Sequence, residues 1–195
     1  MAPLKAISWT VYQGLTQQRK MREVAVMIHV CPLSKIEETV MLSGARRMVT
    51  LINAGTPVTR PAVLAEADHL ILSMNDIIEE LPDMTPPGEV HVRALLDFAR
   101  RWDRKAPIVI HCFAGISRST AAAYSVAAAL APTRDEAELA ATLRRLSPSA
   151  TPNIRLVSIA DRLLRRDGRM IAAIEAIGRG AEAYEGVPFA LKIDA

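Results

Sequence analysis

The chain has 195 residues, of which 50% are hydrophobic and 23% charged, the profile of a folded domain long enough to bury a core without disulfides or a structural metal. Two cysteines exclude a disulfide scaffold, and 4% aromatics argue against a stacking platform for single-stranded nucleic acid. A net charge of +3 suits an anionic ligand and is too small to imply a nucleic-acid partner.

No segment approaches the ~18 consecutive apolar residues of a membrane span, so no membrane partner is expected. Residues 1–23 carry Lys5, Arg19, Lys20 and Arg22 without a continuous apolar run. They read as an N-terminal extension rather than a signal peptide, which makes the cytoplasm the expected compartment. One domain is expected over residues 24–178, followed by an irregular tail over 179–195.

In chain order, Val24 to Val30 reads as a buried strand closed by Cys31-Pro32. Ser34 is placed to cap a helix over Lys35 to Ser43, with Gly44 as its stop. Arg47 to Asn53 is a second predicted strand, and a short helix is expected near Ala62 to Ala67. His69 to Met74 is the third strand, leading into Asn75-Asp76 and a loop with Pro82, Pro86, Pro87 and Gly88.

Glu89 to Trp102 has Val92, Leu95, Leu96 and Ala99 on one helical stripe. Ala106 to His111 is the fourth predicted strand. Arg118 to Leu130 is an Ala-rich helix expected to be buried. Thr133 opens another helix, with Glu136 in capping-box position and Leu139, Leu143 and Leu146 on its inner stripe. Thr151-Pro152 is expected as N-cap and N1 of a last long helix that Asp167-Gly168 breaks before Met170 to Ile177. Strands alternating with helices specify an α/β domain with a mostly parallel central sheet of about four to five strands flanked by helices. Ligands of such sheets bind outside the carboxyl ends of the strands.

The stretch His111-Cys112-Phe113-Ala114-Gly115-Ile116-Ser117-Arg118-Ser119-Thr120 lies between the last predicted strand and the Ala-rich helix. A tight loop running into a helix aims several N–H groups at one point, where the helix terminus adds roughly half a positive charge. Gly115 permits a backbone course that a side chain would block. Arg118 can fork two donors onto an oxyanion. The loop from Phe113 through Ala114, Gly115, Ile116 and Ser117 to Arg118 is therefore an anion cradle of phosphate size. Cys112 sits at its base, where the same dipoles and Arg118 favour a thiolate. A thiolate facing phosphorus is a nucleophile, and Ser119 can donate to it as it departs.

Cys, five residues and Arg, within the fuller pattern His-Cys-x-Ala-Gly-x-Ser-Arg-Ser filled by His111 to Ser119, resembles the signature of the cysteine-based protein tyrosine phosphatase superfamily. It is most similar to small members of the dual-specificity branch. Ser147-Pro148 and Pro152-Asn153 also resemble the segment before the last helix of those enzymes. The likeness covers Val24 to Leu164. It implies hydrolysis of phosphomonoesters through a phosphocysteine, with a phosphorylated protein or a small phosphorylated metabolite as substrate and no cofactor.

The family mechanism needs an aspartic acid to protonate the leaving oxygen. Asp76 directly follows a predicted strand and so belongs at the carboxyl edge beside the cradle. The Asn75-Asp76 pair also resembles the Asn-Asp of some dual-specificity enzymes. Asp83, in Leu81-Pro82-Asp83, echoes the Trp-Pro-Asp loop of the larger tyrosine phosphatases and stays an alternative. Placement on a rigid element favours Asp76.

His111 is expected as a buried support of the loop. Cys31 is either a small buried hydrophobe or a redox partner of Cys112. A zinc site from His29, Cys31, His111 and Cys112 lacks the usual spacing. Arg46-Arg47, Arg60 and Arg165-Arg166 read as solvated basic positions. Two other classes compete with an enzyme: a phosphate-binding interaction module without turnover, and sulfur or arsenate chemistry on a similar loop.

Overall fold

The computed structural model describes residues 26–193, so the N-terminal extension lies outside the described residues. Short runs of β-branched and aliphatic residues form the strands: β1 (Val26–Pro32), β2 (Arg47–Ile52), β3 (His69–Ser73), β4 (Ile108–Cys112) and β5 (Phe189–Ile193). They make one sheet in the order β3-β2-β4-β1-β5. The first four are mutually parallel and β5 runs antiparallel to β1. The parallel strands thus end along one edge, at Pro32, Ile52, Ser73 and Cys112.

Among the described residues six α-helices flank this sheet: α1 (Ile36–Ser43), α2 (Glu89–Arg100), α3 (Arg118–Leu130), α4 (Glu136–Leu146), α5 (Ile154–Leu163) and α6 (Arg169–Ile177). Strand residues alternate between faces, and the two faces are covered unequally. Ile108, Ile110 and Cys112 of β4 face a large core built with α2 to α6. Val109 faces a small one, with Ile36 and Val40 of α1, Met48, Leu64 and Cys31. Helix α3 carries the large core: all its residues but Ala129 are buried. Its alanines let it lie close to the sheet while α2, α4 and α5 pack around it.

Several boundaries differ from the sequence reading. Ser34 does not cap α1; it lies in a 3₁₀ turn, Leu33–Lys35, and donates to Glu185 at 2.8 Å. The helix near Ala62 to Ala67 is only a 3₁₀ turn, Glu66–Asp68. Helix α4 is capped by Asp135, which accepts from the Glu138 amide, not by Thr133. Glu136, expected to close a capping box, is instead buried between Arg166 at 3.0 Å and Arg169 at 3.3 Å. Leu146 is 41% exposed and leaves the inner stripe. Asn153, rather than Thr151, caps α5 by accepting from the Leu156 amide. Asp167-Gly168 does separate α5 from α6, with Gly168 at φ +83°.

The largest correction concerns the C-terminus. The segment expected as an irregular tail supplies β5, whose Phe189, Leu191 and Ile193 are buried against β1 and the helices. The domain therefore continues to Ile193 rather than closing near residue 178. The strand that leads into the Ala-rich helix is the fourth of five, lying between β2 and β1.

Candidate active site

At the carboxyl edge, β4 runs directly through Cys112 into the 113–117 loop and α3. Gly115 turns the loop at φ +70° against the end of β1. A Cβ there would lie 2.6 Å from the Pro32 nitrogen and 2.8 Å from the Cys31 carbonyl carbon, so only glycine fits. The loop's carbonyls point outward to partners: Phe113 O accepts from the Leu33 amide at 3.0 Å, Ala114 O from Gly186 at 2.8 Å and Ile116 O from Thr151 at 3.0 Å. In such a turn the N–H groups converge on the opposite side.

Cys112 is buried, with its Sγ 3.1 Å from Ser119 Oγ, in the first turn of α3. Arg118 is also buried. One of its terminal nitrogens donates to Asn53 Oδ1 and to the Met74 carbonyl, both at 2.7 Å. Its Nε has no hydrogen-bond partner among the described residues, and it lies 3.7 Å from Asp76 Oδ2. The Asp76 carboxylate is itself fixed: its Oδ1 accepts from Ser117 Oγ at 2.7 Å and from Asn153 Nδ2 at 2.8 Å. Asn53, Asp76, Ile77, Met84, Phe113 and Arg118 line one cavity of about 420 Å³, a volume in the range of ligand pockets. Phe113 and Met84 leave about half their surface exposed there.

The structure thus pairs Cys112 with Ser119 and Arg118 with Asp76, with Cys112 at the start of the 113–117 loop and Arg118 at its end. Asp83 stands apart, exposed in a turn at φ +59° and absent from the cavity wall. His111 is fully buried on the opposite face of the sheet from Cys112. Its Nε2 lies 2.6 Å from Thr50 Oγ1, which in turn lies 2.7 Å from His69 Nε2. Burial pushes the His111 pKa down to about 4; the Cys112 main chain opposes this, and His69 and Arg118 add to it.

Cys31 pairs with His111 in the register of β1 and β4. It therefore shares the His111 face, in the small core, and points away from Cys112. Burial pushes its thiol up to about 12, partly offset by Thr39, with Cys112 adding to the rise. Cys31 is a buried hydrophobe rather than a partner poised beside Cys112. Among the described residues no three His, Cys, Asp or Glu side chains are grouped to hold a metal ion.

The basic positions divide: Arg46, Arg60 and Arg165 are exposed, as expected, whereas Arg47 and Arg166 are partly buried. Arg47 pairs with Asp68 at 3.2 Å and lies 4.6 Å over the Phe98 ring. Arg60 donates to the Leu64 carbonyl, and Arg166 to the carbonyls of Ala128 and Pro132.

Sequence reasoning missed Asn53, Asn153 and Thr50. Asn53 ends the second predicted strand, so its place at the carboxyl edge was available; its bond to Arg118, 65 positions away, was not.

No protein-family model matches the sequence, and no curated protein matches it. Solved structures do match. The Cydia pomonella PTP-2 phosphatase is 19% identical, with a TM-score of 0.53 over 69% of this chain and 84% of that one. Human DUSP28 is 16% identical, with a TM-score of 0.52 over 77% and 95%. The human tyrosine phosphatase-like serine/threonine/tyrosine-interacting protein is 15% identical, with a TM-score of 0.54 over 72% and 92%. The fold is that of the dual-specificity tyrosine phosphatases. Within it, the 113–118 loop connects the central parallel strand to the buried helix, and Asp76 follows β3 on the same edge. No helix among the described residues is long and apolar enough to cross a membrane.

Proposed function

We propose that this protein is a cysteine-dependent phosphomonoesterase of the dual-specificity type. The observation that carries this reading is that one short loop begins at Cys112, with Ser119 at 3.1 Å, and ends at Arg118, with Asp76 at 3.7 Å. The Cys112 thiolate attacks phosphorus in line with the leaving oxygen. The N–H groups of the Phe113–Arg118 loop and the Arg118 guanidinium hold the equatorial oxygens as charge builds on them. Asp76 gives its proton to the leaving oxygen. A phosphocysteine results. Asp76, now a carboxylate, takes a proton from the water that attacks it, and phosphate leaves. Ser119 donates to the departing sulfur, which makes the thiolate the better leaving group.

The substrate is a phosphorylated protein or a small phosphomonoester. The rim of Phe113, Met84 and Ile77 favours one whose ester group is apolar or aromatic, and among the described residues Arg118 is the one cation lining the cavity. A nucleophilic thiol suits a reducing compartment, which assigns the cytoplasm. The decisive experiment is hydrolysis of p-nitrophenyl phosphate with rapid acid quenching. The wild type should accumulate phosphocysteine and Cys112→Ser should be inert. Full activity in Cys112→Ser would overturn the reading. Oxyanion binding without any phosphocysteine would support the non-catalytic module instead.

A further inference from the structure

Residues 179–188 leave the end of α6 and cross the outer side of the catalytic loop before entering β5. The root of this strap is clamped by one guanidinium. Arg144 donates to the carbonyls of Ile177 and Gly178, both at 2.7 Å, and to Ala150 at 2.8 Å. The next residues lie on the 148–151 turn: the Gly180 amide donates to Thr151 Oγ1 at 3.1 Å and the Ala181 amide to Pro148 O at 2.9 Å. Between strap and turn is a cavity of about 970 Å³, bounded by Ile116, Thr151, Ile174 and Tyr184. The strap is therefore held by hydrogen bonds at its two ends more than by a packed core beneath it.

Its far end meets the loop. The Gly186 amide donates to Ala114 O at 2.8 Å, and Ser34 tethers the neighbouring Glu185. A Cβ on Gly186 would lie 2.9 Å from Gly115 O and 3.4 Å from Ile116 Cγ1. Gly115 is pressed harder still on its other side, where a Cβ would lie 2.6 Å from the Pro32 nitrogen. The Gly115 peptide is thus gripped between two backbones, β1 and the strap, with no side chain as a cushion. An oxyanion cradle works only if its donors stand within about half an ångström of their productive positions.

We infer that the strap belongs to the catalytic apparatus, with Gly186 as a positioning residue that sets the 114–116 stretch of the cradle. This rests on the phosphatase reading of the loop.

The test compares Gly186→Ala with Gly168→Ala in the full chain. Gly168 has φ +83° and open space around it, so its substitution strains the backbone without touching the loop. Both variants should lower the melting temperature. Only Gly186→Ala should weaken protection of Cys112 from iodoacetamide by vanadate, by roughly tenfold to a hundredfold, with kcat for p-nitrophenyl phosphate falling in step. Wild-type vanadate affinity in a folded Gly186→Ala protein overturns the inference, as does an equal loss in Gly168→Ala. Should Gly186→Ala fail to fold, Ser34→Ala removes only the exposed tether. It should weaken vanadate binding about threefold, and no change would overturn the inference. A wild type that hydrolyses nothing, yet loses vanadate affinity on Gly186→Ala, refutes the phosphatase reading while leaving the strap's role standing.

Discussion

Asn153 and Asp76 stand 77 positions apart, and the Asn153 side-chain amide donates to the Asp76 carboxylate at 2.8 Å. The same side chain accepts from the Leu156 amide and caps α5. One residue thus ties the start of a helix to the proposed general acid. Asn153→Ser separates the two roles, because serine caps as well as asparagine does but is too short to reach Asp76. Stability should change by less than about 1 kcal/mol. The kcat for phenyl phosphate should fall by about tenfold, and more than for p-nitrophenyl phosphate, whose leaving group needs less protonation. Equal losses on both esters would count against a positioning role.

The two candidate acids separate by the same leaving-group comparison. Asp76→Asn should cost about 10²–10⁴ in kcat on phenyl phosphate and markedly less on p-nitrophenyl phosphate. Asp83→Asn should leave both rates within about twofold, as expected for a surface substitution. A large loss in Asp83→Asn alone would move the acid into the Pro-rich loop.

Cys31 should be chemically silent. Its thiol is buried and raised to about 12, so iodoacetamide at pH 7.5 should leave it unmodified in the folded protein and label it after denaturation. Peroxide should produce no Cys31–Cys112 disulfide by mass spectrometry. Cys31→Ala should retain kcat and cost about 1 kcal/mol of stability through the small core.

His111 makes stability depend on pH. Its folded pKa, about 4, lies below the ordinary 6.5. Between those values the unfolded chain binds the proton and the folded one does not. Stability therefore rises with pH across this window, is fully present above about 6.5 and is lost by about 4. The shift corresponds to roughly 3 kcal/mol. Urea midpoints measured from pH 7 down to 4.5 should fall more steeply in the wild type than in His111→Gln. Parallel curves would remove His111 as the cause.

The cradle was legible because its chemistry is contiguous: Cys112 through Ser119 carry their own strand end, turn and helix start. The place of Asp76 was legible because a residue just after a predicted parallel strand lies at the carboxyl edge. The orientation of Cys31 was not, since it depends on the register of β1 against β4, and a shift of one residue reverses the face. Asn53 and Asn153 act across the fold through single polar atoms, which leave no periodic trace in the sequence. β5 escaped notice because Phe189-Ala190-Leu191-Lys192-Ile193 is a five-residue run at the sheet edge, where a short antiparallel strand resembles any apolar tail. The helix starts moved by two or three positions because Asp135 and Asn153, next to plausible caps, accept the amide bonds instead.

Arg118 has one further consequence. Its guanidinium is confined by Asn53 and the Met74 carbonyl, although a free arginine side chain carries about 2 kcal/mol of rotamer entropy. That disorder is removed when the domain folds, not when an oxyanion arrives. Preorganisation of this kind couples ligand affinity to folding free energy through a single side chain. Whatever loosens the β2 and β3 ends that hold Arg118 should weaken anion binding before the domain itself unfolds.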